Sequence, residues 1–172
     1  MMNGMDEMDG ADSPFYGKYR GVVSDNDDPN GLGLIRVKVQ DVLGDQESGW
    51  ALPALLYAGD GVGLYLIPPV DAFVWVEFEH GDPDYPIWTG CFWLTSLAVP
   101  GEASGPDIKL LKTDIATIKI DDSDSDSSIT IETTNNLMIV MDTDGIEISN
   151  GDQKITLSTA SVSVNNGALE VM

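Results

Sequence analysis

Residues 115–172 read IATIKIDDSDSDSSITIETTNNLMIVMDTDGIEISNGDQKITLSTASVSVNNGALEVM. Apolar residues recur here as doublets separated by one residue: Ile118/Ile120, Ile129/Ile131, Leu137/Ile139, Ile146/Ile148, Ile155/Leu157, Val162/Val164 and Leu169/Val171. Asp, Ser, Asn, Thr and Gly fill the gaps, with Gly145, Gly151 and Gly167 placed where the chain must turn. Alternation with a period of two predicts very short β-strands, each with one apolar face. Such repeats bury that face only against neighbours, so a lone meander has no core. A single-chain β-solenoid and an independent sandwich are the two alternatives. A solenoid keeps a more regular coil than doublet spacings of 11, 8, 9, 9, 7 and 7 residues. A sandwich brings aromatic residues or longer strands. The reading that fits the pattern is an intertwined trimer, with the doublets from Ile118/Ile120 to Val162/Val164 as its shared core.

Upstream the composition changes. Residues 99–172 contain no aromatic residue, whereas residues 14–98 hold every Trp, Tyr and Phe of the chain. This predicts a compact core-bearing domain over 14–98, a Pro/Gly-rich linker over 99–107 and the ladder over 108–172. Residues 1–13 are acidic and Met/Gly-rich, with little to bury, and are expected to be flexible.

The aromatic domain shows short alternating runs. Tyr16–Ser24 and Leu34–Val39 read as two strands, the second with Ile35, Val37 and Val39 on one face. Asp25 to Gly31 forms the loop between them, rich in Asx and Gly turn chemistry. Trp50–Pro53 is a short segment. Phe73–Glu79 alternates, setting Phe73 and Trp75, with Glu77 and Glu79, against Val74, Val76 and Phe78. Ile87–Trp93 closes the series. Five strands with little helical periodicity predict a small β-barrel.

The net charge is −21, spread over both parts. A field of that sign repels nucleic acid and anionic lipid, because binding to phosphates comes from neutralising them with Lys and Arg. Cys91 is the only cysteine, which excludes an intrachain disulfide and a cysteine-based metal site. The N-terminus lacks the basic and apolar regions of a signal peptide. No apolar run nears the ~20 residues that a membrane-spanning helix needs. Synthesis in the bacterial cytoplasm is the expectation.

Candidate chemical sites are sparse. Asp25–Gly31 resembles a calcium loop, but Pro29 interrupts it and Arg36 stands where a bidentate Glu is required. Asp121–Ser127 is an acidic run that reads as a solvated loop. His80 is the single histidine, and a zinc site recruits more ligands than that. Glu77 and Glu79 fall ~6–7 Å apart on one strand face, with no accompanying cleft. There is no nucleophile elbow, phosphate loop or dinucleotide fingerprint. The sequence argues against an enzyme and calls for no cofactor and no metal.

The strand Phe73–Glu79 runs into Gly81-Asp82-Pro83-Asp84-Tyr85-Pro86-Ile87-Trp88-Thr89-Gly90. This block, with Val74, Val76 and Phe78 before it, resembles the phage baseplate spike proteins (baseplate assembly protein V, the T4-type tail-spike) and their type VI secretion relative VgrG. Asp28–Val39 is similar to the first hairpin of that family, and the resemblance covers residues 15–93. It implies an OB-fold barrel followed by a triple-stranded β-helix, with Gly81, Asp82, Pro83, Pro86 and Gly90 as the barrel motif. Asp71 departs from the pattern, standing where the family has a small Gly.

The resemblance implies a homotrimeric central spike in the baseplate of a contractile injection machine, located in a virion or injection particle. It implies a hub protein above the barrel, no nucleic-acid partner, and contact with a target membrane only on puncture. No lysozyme insertion and no N-terminal hub domain are recognised. The ending Leu169-Glu170-Val171-Met172 lacks the histidines of an iron-tipped spike. Leu169, Val171 and Met172 are therefore expected to form a blunt apolar end covered by a PAAR-type tip protein. The alternative is an OB-fold module that binds single-stranded nucleic acid or sugar.

Overall fold

The computed structural model describes residues 14–125 and 127–172. The segment 1–13, expected to be flexible, lies outside the described residues. The chain divides into two compact units at the Leu94–Thr95 junction.

The first unit contains strands β1 (Tyr19–Asp25), β2 (Arg36–Lys38), a short helix α1 (Gln40–Leu43), β3 (Leu52–Pro53), β4 (Ala58–Gly59), β5 (Val62–Gly63), β6 (Phe73–Phe78) and β7 (Pro86–Cys91). Five of these make one sheet in the order β2-β1-β6-β7-β3, with β3 parallel to β7 and the other pairs antiparallel. The sheet curls until its edges meet. Ile35 and Ala51, the residues before β2 and β3, exchange both backbone hydrogen bonds at 3.3 and 2.8 Å. Inside lie Val23, Ile35, Val37, Val39, Val74, Val76, Phe78 and Trp88, all buried. The alternation read from Ile35–Val39 and Val74–Phe78 is the side-chain period of a strand with one face in the core.

β1 begins at Tyr19, later than the expected Tyr16. The segment before it is tied to another part of the barrel, Phe15 donating its backbone N–H to the Gly81 carbonyl at 2.8 Å.

The second unit is a meander: β8 (Ile108–Lys112), β9 (Ala116–Asp121), β10 (Ser128–Thr133), β11 (Leu137–Met141), β12 (Gly145–Asn150), β13 (Gln153–Ser158), β14 (Val162–Val164) and β15 (Leu169–Val171). Every strand pairs antiparallel with its sequence neighbours, giving one eight-stranded sheet. Side chains that cap their own turns make the tight connections. Asp142 Oδ1 accepts from the Asp144 and Gly145 amides at 2.8 and 3.2 Å. Asn136, Asn165 and Asn166 occupy left-handed backbone, which Asn tolerates better than most residues. The protein is thus all-β, a small barrel followed by a ladder.

Candidate functional site

Register decides what the ladder presents. From β9 to β15 the pairing aligns Ile120, Ile129, Met141, Ile146, Leu157, Val162 and Val171 in one column. Beside it run Ile118, Ile131, Ile139, Ile148, Ile155, Val164 and Leu169. Both columns lie on one face, because their members are two residues apart along each strand. In β8 the columns continue as Lys109, paired with Ile120, and Leu111, paired with Ile118.

One doublet differs from the sequence expectation. In β11 the columns use Ile139 and Met141, whereas Leu137 stands on the same face outside them, opposite Asn150. The run Leu137-Met138-Ile139-Val140-Met141 is apolar at every position, so alternation alone leaves the doublet ambiguous. Only the pairing with β10 and β12 resolves it.

The two faces are unevenly covered. Thr117, Lys119, Thr130, Glu147, Thr156 and Ser163 point to the other side, where they are buried or half-buried. Glu147 and Lys154 pair there at 2.9 Å. Most of the apolar columns are exposed in the single chain, Ile148 at 50% and Ile155 at 47%. Unpartnered apolar area of this extent marks an interaction surface.

At the end of the ladder, Leu169 pairs with Val164 and Val171 with Val162, so both continue the columns as their last row. Met172 follows the last strand and is fully exposed. Near the other end, Asp121 accepts from the Ser123 hydroxyl at 2.6 Å and its amide at 3.1 Å. The hydroxyl contact first, then the amide, holds the Asp121 carboxyl below the ordinary range. Asp122 pairs with Lys109 at 2.5 Å. Among the described residues no group of three or more His, Cys, Asp or Glu is placed to hold a metal ion.

The barrel motif builds one turn. Gly81 is buried at φ +78°, and a Cβ there would stand 2.6 Å from Pro14 Cβ. Asp82 closes the turn on itself, its Oδ1 accepting from the Asp84 amide at 3.0 Å and its carbonyl from the Tyr85 amide at 3.1 Å. Pro83 sits within this turn, and Pro86 opens β7, buried opposite Phe78. Gly90, at φ +144°, faces Trp75 where the β6–β7 register shifts by a bulge. Asp71 lies at φ +68°, a conformation that costs Gly nothing and that Asp adopts more readily than most residues.

Glu77 and Glu79, expected on one strand face, do not share a strand. β6 ends at Phe78, and Glu79 begins a 3-10 turn in which His80 takes a left-handed backbone. Glu77 is held by Lys18 at 2.8 Å, and Lys18 also donates to the Thr89 hydroxyl at 2.8 Å. The Asp25–Gly31 loop uses its carboxylates on its own backbone. Asp28 accepts from the amides of Asn30, Leu32 and Leu34 at 2.8, 2.6 and 3.1 Å. Burial raises the Asp28 pKa, but the amides of Asn30, Leu34, Leu32 and Gly33 outweigh it and leave the carboxyl below the ordinary range.

Sequence reasoning missed how the barrel distributes its cations. All four basic residues of this unit, Lys18, Arg20, Arg36 and Lys38, stand on the outer side of β1 and β2, Lys18 just before β1 and Arg36 held by Glu47 at 3.2 Å. Arg20 lies across from Trp75, and Phe92 packs on Trp75 with ring centroids 4.7 Å apart. Charge counts along the chain hide this, since the face exists only once β1 pairs with β2 and β6.

Comparison with known proteins follows the same two units. Residues 19–93 match the family described as Type VI secretion system/phage-baseplate injector OB domain. Residues 108–170 match the Phage baseplate V C-terminal trimerisation domain. Over 58 residues, 34% of this chain, the sequence is 41% identical to the Type VI secretion system spike protein VgrG4b of Pseudomonas aeruginosa. The match spans 7% of that relative's length. The barrel turn, the two apolar columns and these matches in tandem agree, and the chain belongs to the phage baseplate V family.

Proposed function

We propose that the chain is the homotrimeric central spike of a contractile injection baseplate, mechanical in its role and not catalytic. One observation carries this reading. The face bearing Ile118, Ile120, Ile129, Ile131, Ile146, Ile148, Ile155 and Leu157 is exposed in a single chain, while the polar face beside it is partly covered. Two further copies supply the missing cover, with their columns facing a common axis. The match to a trimerisation domain supports that stoichiometry. Backbone ladders closed around an axis leave no free edge and resist bending, which a piercing device needs.

In this reading the barrel meets a hub protein, and the last row of the ladder, Leu169 and Val171 with Met172, meets a tip protein of PAAR type. Contraction drives the assembly through a target envelope. Light scattering tests the core of the proposal. A mass three times the 18.5 kDa chain that survives SDS is expected, and a monomer that melts easily would sink it.

A second reading has one observation in its favour. Lys18, Arg20 and Lys38 beside Phe73, Trp75 and Phe92 are the residue types with which OB folds hold single-stranded nucleic acid. Three cations oppose a net charge of −21. Anisotropy titration with oligo-dT at low salt decides: micromolar binding would revive this reading.

A further inference from the structure

The barrel carries a second apolar surface that its own fold leaves bare. After β3 the chain leaves the sheet as an arm, turns through β4 and β5 at Gly59-Asp60-Gly61, and returns to Pro68. Its base is fixed, the Ala54 amide donating to the Trp88 carbonyl at 2.9 Å and the Leu64 amide to the Tyr57 carbonyl at 2.9 Å. Leu55 and Ile67 pack against the core, but most of the arm's side chains are not covered: Leu56 is 94% exposed and Tyr65 63%, and Tyr57 and Val62 are exposed with them. Between Leu52 and Val70 the only charged residue is Asp60, in a chain of net charge −21.

Charge selects the occupant. A trimer brings together three acidic barrels, and like charges oppose their approach. The arm is a surface through which copies meet without setting carboxylates against each other, and association there covers its Leu, Val and Tyr side chains. We infer that the barrels of one trimer contact each other through the arm between β3 and β6, so that the assembly is held at its barrels as well as along its ladder. The arm runs from β3 back to β6, the Pro68 carbonyl accepting from the Asn26 side chain beyond the end of β1 at 3.0 Å, so it lies at one end of the barrel. Arg20 and Trp75 lie on the barrel wall, within β1 and β6 and off the arm.

The inference rests on the homotrimer proposed above. The test uses the full chain with Cys91→Ser and a single new thiol, Leu56→Cys or Val62→Cys, treated with a short bis-maleimide at low protein concentration. Covalent dimers are expected from either variant, with the third chain of each trimer left unlinked, and a yield independent of dilution. Arg20→Cys is the comparison and is expected to give none. Intact trimers by light scattering in which neither arm position cross-links, or in which Arg20→Cys cross-links equally well, would overturn the arm contact and leave the trimer standing. A monomer in the same measurement would overturn both.

Discussion

Thr117 is 7% exposed, and Ile118, the next residue along β9, is 40% exposed. The order is the reverse of what water favours, since burying an Ile side chain stabilises by roughly 1.5–3 kcal/mol and a hydroxyl gains little. The same inversion recurs along the ladder. It is resolved when other copies cover the isoleucine face.

Ile146 and Ile155 lie in different columns of that face. Ile146→Asp or Ile155→Asp would set three carboxylates against a shared apolar axis, an uncompensated burial worth several kcal/mol per copy. Both variants are expected to be monomeric by light scattering. Ser149→Asp lies on the polar face and is expected to keep the trimer.

Met141 completes the column of Ile146 and Ile129. Met141→Asp is therefore expected to block assembly as fully as Ile146→Asp, while Val140→Asp, on the opposite face, leaves the mass trimeric. Equal effects from the two would refute the register.

Gly81 combines a left-handed backbone with close contact to Pro14. Gly81→Ala incurs about 1–2 kcal/mol of backbone strain, and displacing Pro14 adds to it. Gly31, at φ +66° with open space around the position a Cβ would take, incurs the strain alone. Thermal unfolding of the barrel should fall further for Gly81→Ala than for Gly31→Ala.

Asp28 titrates below the ordinary aspartate value of 3.8 in the folded chain. A carboxyl lowered on folding stabilises above its unfolded pKa, and that contribution is lost as pH falls through the folded value. Wild type should therefore lose barrel stability on acidification below about pH 4 more steeply than Asp28→Asn, which starts lower at pH 7. Melting curves across that range check the difference in slope.

Deleting Leu169–Met172 removes the last row and leaves the others in place. The trimer is expected to persist while binding to a PAAR-type tip protein disappears, as read by co-purification of the pair. Retained binding would refute the capping role.

Much of this was legible in the sequence. Isolated doublets such as Ile129/Ile131 or Ile155/Leu157 expose their period because polar residues surround them. Val74, Val76 and Phe78 are equally plain. Where every position is apolar, as from Leu137 to Met141, the period vanishes and only partners across the sheet assign the face. The arm from Ala54 to Leu66 has no alternation to read, since most of its side chains stand exposed and only Leu55 packs against the core. The closure of the barrel by Ile35 and Ala51, and the gathering of Lys18, Arg20 and Lys38, depend on pairings between distant segments.

Each ladder strand pairs with the strands before and after it, in a two-column register that holds from β9 to β15. An added hairpin with the same doublets would therefore dock without disturbing its neighbours. Two strands add roughly 10 Å at the usual inter-strand spacing. Ladder length is thus a quantity that duplication and deletion of short segments can set, independently of the barrel.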